Sequence, residues 1–329
     1  MRVTNKMIGN SLAYNIQVNM QKLARTQQEM STGRRVLRPS DDPLVISRLL
    51  SIQGALESNN QYVRNIDDGL AYLYAADTAL GTAGDLLHDA HELAVQGANG
   101  TLTKEDMAHI GEQVDKMIDN MVNLANTDLG GKYIFAGKRN NLPPFNRVDN
   151  TITYSGDFAL IEREIAFDTP YQVAGPGVSD FTVTPSPEQG TFGWADSATP
   201  PINPDNPPFE LRRDANNEYY GVFGTLFQLR NALYNGNPGE VNDALGRVQK
   251  EVDFLLQERV KVGARTRHFE SVKDQILDHE IRLKQIELDL GSVHMEKVSI
   301  DFAQQTLTYQ AALGAGAQIL QTSLLQFLR

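Results

Sequence analysis

Residues 49–94 read LLSIQGALESNNQYVRNIDDGLAYLYAADTALGTAGDLLHDAHELA, and this stretch determines the fold of the chain. Alternating steps of three and four residues from Leu49 reach fourteen positions up to Ala94, and ten of them are apolar. A helix in a compact globular protein drifts off such a register, whereas a coiled coil keeps it. We therefore predict one helix over 44–97, about 80 Å long. The positions assigned to its bundle core are Leu49, Ile52, Leu56, Val63, Ile66, Leu70, Leu73, Leu80 and Leu87.

A second heptad pattern lies far along the chain, between residues 240 and 291. Every seventh residue from Val241 to Leu290 is apolar, and no proline interrupts the segment. Two helices with matching patterns pack most simply side by side, so we predict a long antiparallel coiled-coil or helical bundle formed by the two flanks. The core positions assigned to this second helix are Val248, Leu255, Val262, Phe269, Ile276 and Leu283.

Short signals mark the ends of the other helices. A first helix is predicted over 4–31 and ends at Gly33. Ser40 or Asp41 is expected to cap the helix that follows, with Pro43 in its first turn. Thr103 and Asp106 have the spacing of a capping box and predict the start of a third helix.

The middle of the chain cannot be helical throughout, because eleven of the fourteen prolines lie between Pro143 and Pro208. Short β-prone runs lie at 133–135, 151–154, 161–165, 181–183 and 219–223. We predict a small antiparallel β domain there, with a long loop over 185–208. The fold class is therefore mainly α with a β insertion. The expected domains are 1–43 with 291–329 (terminal helices), 44–132 with 224–290 (the bundle) and 133–223 (the β domain).

The C-terminal helix is apolar on two faces beyond Ile281, and a helix with two apolar faces must bury both. The central helix of a monomeric bundle would do so within one chain. We favour burial of one face against the N-terminal helix and of the other against neighbouring copies. The residues assigned to this self-assembly interface are Leu12, Ile16, Met20, Leu23, Met30, Ile286, Leu290, Val293, Met295, Ile300, Phe302, Leu307, Leu324 and Phe327.

Composition argues against several classes of function. The net charge is −11 without a long basic run, which disfavours nucleic-acid binding, and no stretch has the length and apolarity of a membrane span. The only candidate metal ligands, His88 and His91 with Asp85, are better explained as a solvated helix face. We therefore expect no catalytic residues, no cofactor and no metal, and no cleaved secretion signal in the polar first twenty residues.

Several motifs resemble the flagellin superfamily. They are STGRRV at 31–36, SDDP at 40–43, NIDDG at 65–69 and ELAVQGAN at 92–99. The segment GKYIFAG at 131–137, which leads directly into a short insertion, is similar to the hook-filament junction proteins within that superfamily.

The resemblance implies a non-catalytic structural subunit of the bacterial flagellum. Such a subunit is extracellular and leaves the cell by type III export without a cleaved signal peptide. Its implied partners are copies of itself in a ring, another hook-associated protein on the hook side, flagellin on the filament side and an export chaperone at the C-terminal helix. Flagellin itself is the alternative within the superfamily, and an intracellular coiled-coil adaptor is the alternative outside it.

Overall fold

The computed structural model describes residues 5–36, 38–148, 151–175, 177–180, 191–195, 209–210 and 221–327. Long helices from both flanks and short strands between them confirm the predicted fold class. The helices within these ranges are α1 (Asn5–Thr32), α2 (Pro43–Gly97), α3 (Lys104–Ala125), α4 (Gly221–Asn235), α5 (Pro238–Gly291) and α6 (Met295–Phe327).

The chain divides into two compact units. Met1–Asn59 with Leu277–Arg329 is the terminal unit, and Asn60–Ile276 is the central unit. One boundary between the units lies within α2 and the other lies within α5, so each of these helices contributes residues to both units. The three-domain division expected from the sequence stays a prediction.

In the central unit, α2 and α5 pair in opposite directions. Lys273 Nζ lies 2.7 Å from Asp67 Oδ1, and Arg259 Nε lies 3.1 Å from Asp77 Oδ1, so rising residue numbers on α2 meet falling numbers on α5. The helices approach closely at a glycine of α2, because a Cβ on Gly69 would lie 2.6 Å from the Phe269 ring. Side-by-side pairing of this kind agrees with the two matching heptad patterns.

The helix caps agree with the sequence at α3 and differ from it at α2. Thr103 Oγ1 accepts from the Asp106 N–H, and the Asp106 carboxylate accepts from the Thr103 N–H, which confirms the capping box. At α2 the cap is Asp42, whose carboxylate accepts from the Val45 N–H at 3.1 Å. The assignment to Ser40 or Asp41 was wrong because Pro43 is itself the first helical residue, so the residue directly before it is the cap.

The described residues of the middle region form short strands in four groups. Three of these four groups are antiparallel, as predicted, but β7 and β8 are parallel. The strands are β1 (Asp128–Leu129), β2 (Lys132–Tyr133), β3 (Phe145–Val148), β4 (Thr151–Tyr154), β5 (Ile161–Ala166), β6 (Thr169–Ala174), β7 (Val178–Asp180), β8 (Gly193–Ala195) and β9 (Phe209–Glu210). The order is β1-β2, β3-β4-β9, β5-β6 and β7-β8.

Two predicted strands are wrong over part of their length. Tyr133 belongs to β2, but Ile134 and Phe135 lie in a buried turn. Gly221 to Phe223 begin α4, and the first two residues of that predicted strand, 219–220, lie outside the described residues. Both runs are apolar and short, and periodicity alone cannot distinguish a short buried strand from a buried helix or turn. The predicted strand at 181–183 lies outside the described residues, as does most of the predicted loop at 185–208.

An aromatic cluster fills the core of the strand region. The rings of Phe135, Phe145, Phe192 and Phe223 lie with neighbouring centroids 5.1 to 5.9 Å apart, in tilted and edge-on arrangements. Tyr154 joins them, and its hydroxyl oxygen lies 3.0 Å from the carbonyl oxygens of Phe135 and Asp157, which share its one hydrogen as acceptors. These partners satisfy a hydroxyl that would otherwise be costly to bury.

In the terminal unit, the segment between α1 and α2 is joined by backbone hydrogen bonds to the segment between α5 and α6. Arg35 N–H donates to Gly291 O at 2.8 Å, and Val293 N–H donates to Gly33 O at 3.0 Å. Gly33 has φ +67°, a conformation that glycine adopts without a Cβ clash. The connection between α1 and α2 is thereby fixed to the connection between α5 and α6.

Candidate assembly interface

Helix α6 packs one face against α1. Gly316 is buried and leaves room for Leu12 and Ile16, whose side chains would lie 3.2 and 3.6 Å from a Cβ at that position. Thr26, which is also buried, donates through Oγ1 to Gln305 Oε1 at 2.8 Å. The contacts lie along one side of α6, so α1 covers one of its two apolar faces.

The opposite side of α6 has no cover within the described residues of the terminal unit. Ile300 and Leu307 lie seven residues apart, on one side of the helix, and are 67% and 68% exposed. Ala311 continues the same side and is exposed. We call Ile300, Leu307 and Ala311 the outward face of α6. Burial of an aliphatic side chain of this size is worth about 1.5–3 kcal/mol, so a partner that covers this face gains substantially.

The composition of α6 strengthens the case for an interface. Between Asp301 and Arg329 the sequence contains no charged side chain. A surface helix of a soluble monomer ordinarily carries charged residues on its solvent side, and a helix without them is suited to burial on more than one side. Even so, none of the described helices is long and apolar enough to cross a membrane.

A polar layer interrupts the contact between α1 and α6. A groove of about 280 Å³ between the two helices is lined by polar side chains alone, and the Thr26–Gln305 hydrogen bond lies in the same contact. Thr26 is buried there, and a buried polar group inside a helix pair weakens the pair but fixes its register. The groove residues are Asn19, Lys22, Asp301, Gln304, Gln305 and Thr308.

The residues assigned to the interface from the sequence fall into three groups. Those that are exposed in the single chain are Met20, Ile286, Met295, Ile300 and Leu307. Those that are half-buried are Leu12, Ile16, Leu23, Met30, Leu290, Val293 and Phe302. The side chains of Leu324 and Phe327 lie outside the described part of the chain.

The residues assigned to the bundle core differ between the two units. Those that are buried, all in the central unit, are Ile66, Leu70, Leu73, Leu80, Leu87, Val248, Leu255, Val262 and Phe269. Those that are half-buried, in the terminal unit or within a few residues of it, are Leu49, Ile52, Leu56, Val63, Ile276 and Leu283.

Sequence reasoning missed part of the exposed apolar surface. Met7 and Tyr14 on α1 are 63% and 67% exposed, and their seven-residue spacing places them on one side of the helix. That spacing was a usable signal. The exposed side chains of Leu44 and Leu50 lie near the start of α2, and their spacing does not place them on the same side of the helix.

Metal chemistry has no support in this geometry. Among the residues that the structure describes, no group of three or more His, Asp or Glu side chains is placed to hold a metal ion. His88 is exposed and His91 is half-buried on α2.

Comparison with known proteins finds sequences that resemble parts of this chain. Residues 3–140 match the bacterial flagellin N-terminal helical region. Flagellar hook-associated protein 3 of Escherichia coli (strain K12) is 31% identical over 157 residues, which are 45% of this chain and 49% of that protein. The protein of the same name from Salmonella typhimurium (strain LT2) is 29% identical over 166 residues, 50% of this chain and 52% of that protein. The chain therefore spans about half the length of the curated relatives it matches.

A solved structure extends the likeness from sequence to fold. The flagellar hook-associated protein 3 of Legionella pneumophila aligns with a TM-score of 0.57 at 16% identity, covering 73% of this chain and 98% of that one. The likeness in fold covers a larger share of this chain than either of the two sequence matches does. Together these comparisons confirm the resemblance to the flagellin superfamily, and within it to hook-associated protein 3.

Proposed function

We propose that this chain is a non-catalytic structural subunit of the bacterial flagellum, which forms the junction ring between hook and filament. The observation that carries the proposal is the outward face of α6, where Ile300 and Leu307 are exposed on a helix without charge after Asp301. An exposed row of apolar side chains of this kind supports a protein–protein contact. The likeness to hook-associated protein 3 supports the hook-filament junction as the place of this contact.

The proposed partners follow from the position of a junction subunit. Copies of the chain lie beside it in the ring, another hook-associated protein lies on the hook side, and flagellin lies on the filament side. The subunit is extracellular and is exported without a cleaved signal peptide. An apolar face that is uncovered before assembly needs protection inside the cell, so we also propose that an export chaperone binds α6.

The test is a charge placed on the outward face. Ile300→Asp and Leu307→Asp are expected to abolish incorporation into flagella, because burial of an unpaired carboxylate costs several kcal/mol. Both positions are exposed in the single chain, so stability of the free subunit is expected to change by only about 0.5 kcal/mol. The measurement is complementation of a deletion strain, with motility and electron microscopy of flagella as readouts.

The matched controls are Ile300→Val and Leu307→Met, which keep the face apolar and are expected to assemble. Normal flagella in a strain that carries either aspartate variant would refute the role of this face. The deletion strain itself is expected to keep its hooks and to release flagellin into the medium.

Flagellin remains the second candidate, because the matching family region is the N-terminal helical region of flagellins. Purified chain that polymerises by itself into long filaments would favour that alternative over the junction role. Retention of the chain inside the cell would favour the coiled-coil adaptor instead.

A further inference from the structure

The sequence contains two Asn-Gly dipeptides, and the structure places them in different surroundings. Asn99-Gly100 lies in the turn between α2 and α3, and Asn235-Gly236 lies between α4 and α5. An asparagine before glycine is prone to attack by the glycine nitrogen on the side-chain amide, because glycine lacks a Cβ that would hinder the approach. Because the same dipeptide occurs twice, a difference in reaction rate between the two sites reports the effect of structure and not that of the dipeptide sequence.

The Asn99 site leaves the attacking group available. Asn99 is exposed, and the Gly100 N–H has no acceptor among the described residues. The Thr101 hydroxyl donates to Asn99 Oδ1 at 3.2 Å. A donor on this oxygen stabilises the negative charge that develops there when a nucleophile attacks Cγ. The same turn thus combines a free nucleophile with a polarised amide.

The Asn235 site holds the corresponding groups in hydrogen bonds. The Gly236 N–H donates to the carbonyl oxygens of Ala232 and Leu233, each at 3.1 Å. Asn235 Nδ2 also donates to Glu240 Oε2 at 3.3 Å. Attack by Gly236 on the Asn235 side chain therefore requires these bonds to break first.

We infer that Asn99 is a site of spontaneous deamidation in the folded chain, with Thr101 as its positioning residue and Asn235 protected. The Gly100 nitrogen bonds to Asn99 Cγ and loses its proton, and Nδ2 takes up a proton and leaves as ammonia. Water then opens the resulting succinimide at one of its two carbonyl groups, which yields aspartate or isoaspartate. The product adds a negative charge at the C-terminal end of α2, where the helix dipole disfavours it.

The test uses the full chain, incubated folded at neutral and mildly alkaline pH and then mapped by peptide mass spectrometry. Asn99 is expected to convert about fivefold or more faster than Asn235, because one hydrogen bond of about 1 kcal/mol corresponds to about that factor in rate. In concentrated urea, where both turns are unfolded, the two rates are expected to converge.

Two variants test the part played by the hydroxyl. Thr101→Val is expected to slow conversion of Asn99 by about fivefold, the value of one ordinary hydrogen bond, whereas Thr101→Ser keeps the donor and the rate. Conversion at Asn235 serves as the internal reference in every sample. Equal rates at the two sites in the folded chain, or an unchanged Asn99 rate in Thr101→Val, would overturn the inference.

Discussion

At the scale of single residues, one charged cluster connects three elements of the central unit. Asp115 on α3 accepts from Arg147 on β3 at 2.5 Å and from Arg230 on α4 at 2.8 Å. Arg230 is only 4% exposed and lies over the Phe227 ring, 4.8 Å from its centroid. A buried guanidinium is tolerated only when it is paired, so Asp115 is the residue on which the cluster depends.

Replacement of Asp115 tests this dependence. Asp115→Asn is expected to lower the free energy of unfolding by about 2–3 kcal/mol at pH 7, because it leaves a buried arginine without its charge partner. Asp119, which accepts from Arg147 at 2.7 Å, is 46% exposed and provides the matched control. Asp119→Asn should cost about 0.5–1 kcal/mol. Urea unfolding followed by circular dichroism measures both, and equal losses would contradict the assignment.

The same cluster predicts a pH dependence. Burial alone would raise the pKa of Asp115, but hydrogen bonds from Arg230 and Arg147 outweigh it and hold the pKa below its usual value. The carboxylate therefore stabilises the folded chain above its unfolded pKa of about 4, and this contribution is lost as the pH falls through the lower folded value. The stability difference between the chain and Asp115→Asn is expected to shrink below about pH 4.

At the scale of elements, α2 contains two glycines with opposite roles. Gly69 leaves the space that the Phe269 ring occupies, and Val173 approaches from the other side, 3.3 Å from a Cβ at that position. Gly84 has nothing within 4 Å of the same point. Gly69 is therefore required by packing, whereas Gly84 only weakens the helix.

Because of this difference, replacement by alanine is expected to change the stability of the chain in opposite directions at the two positions. Gly69→Ala is expected to destabilise the chain by about 1–2 kcal/mol through crowding of the buried Phe269 ring. Gly84→Ala is expected to stabilise it by about 0.5–1 kcal/mol, because alanine is the better helix former. Thermal unfolding of the two variants measures this difference. A shift of the melting temperature in the same direction in both variants would show that contact with Phe269 does not determine the effect at Gly69.

The elements that the sequence predicted are those with long patterns. Heptads extend over many turns of α2 and α5, so errors at single positions average out. The apolar run that begins α4 is too short for this, and Arg230 within it was not recognised as the buried partner of a distant aspartate. Strand β8 followed no detectable pattern, and its parallel pairing with β7 depends on contacts distant in the sequence. Two apolar rows on one helix are the reason that an assembly interface was predicted for α6, and this interface stays a prediction.

At the scale of the whole molecule, burial is distributed unevenly between the two units. The central unit contains a continuous apolar core. In the described part of the terminal unit few side chains are fully buried, and two of these, Thr26 and Asn59, are polar. Few buried apolar contacts and a polar layer between helices are the properties of a region that opens locally at low cost.

Hydrogen exchange of the free chain tests this distribution. Amides of α1 and α6 are expected to exchange faster than amides of α2 and α5 within Asn60–Ile276, because opening of the α1–α6 pair exposes little apolar surface. Thr26→Val, which removes the polar contact with Gln305 and adds apolar area, provides a comparison. Equal protection of the two units in the isolated chain would contradict the expectation.

The antiparallel pairing of α2 and α5 has a consequence for how the chain can change its length. Loss of one heptad of seven residues from α2 alone would leave seven residues of α5 without partners. Loss of a heptad from each helix, at positions that face each other, keeps every remaining contact in register. Insertions in the connecting loops carry no such constraint. Lengths of the two helices are therefore expected to change together during evolution, although α3, the strands and α4 lie between them in the sequence.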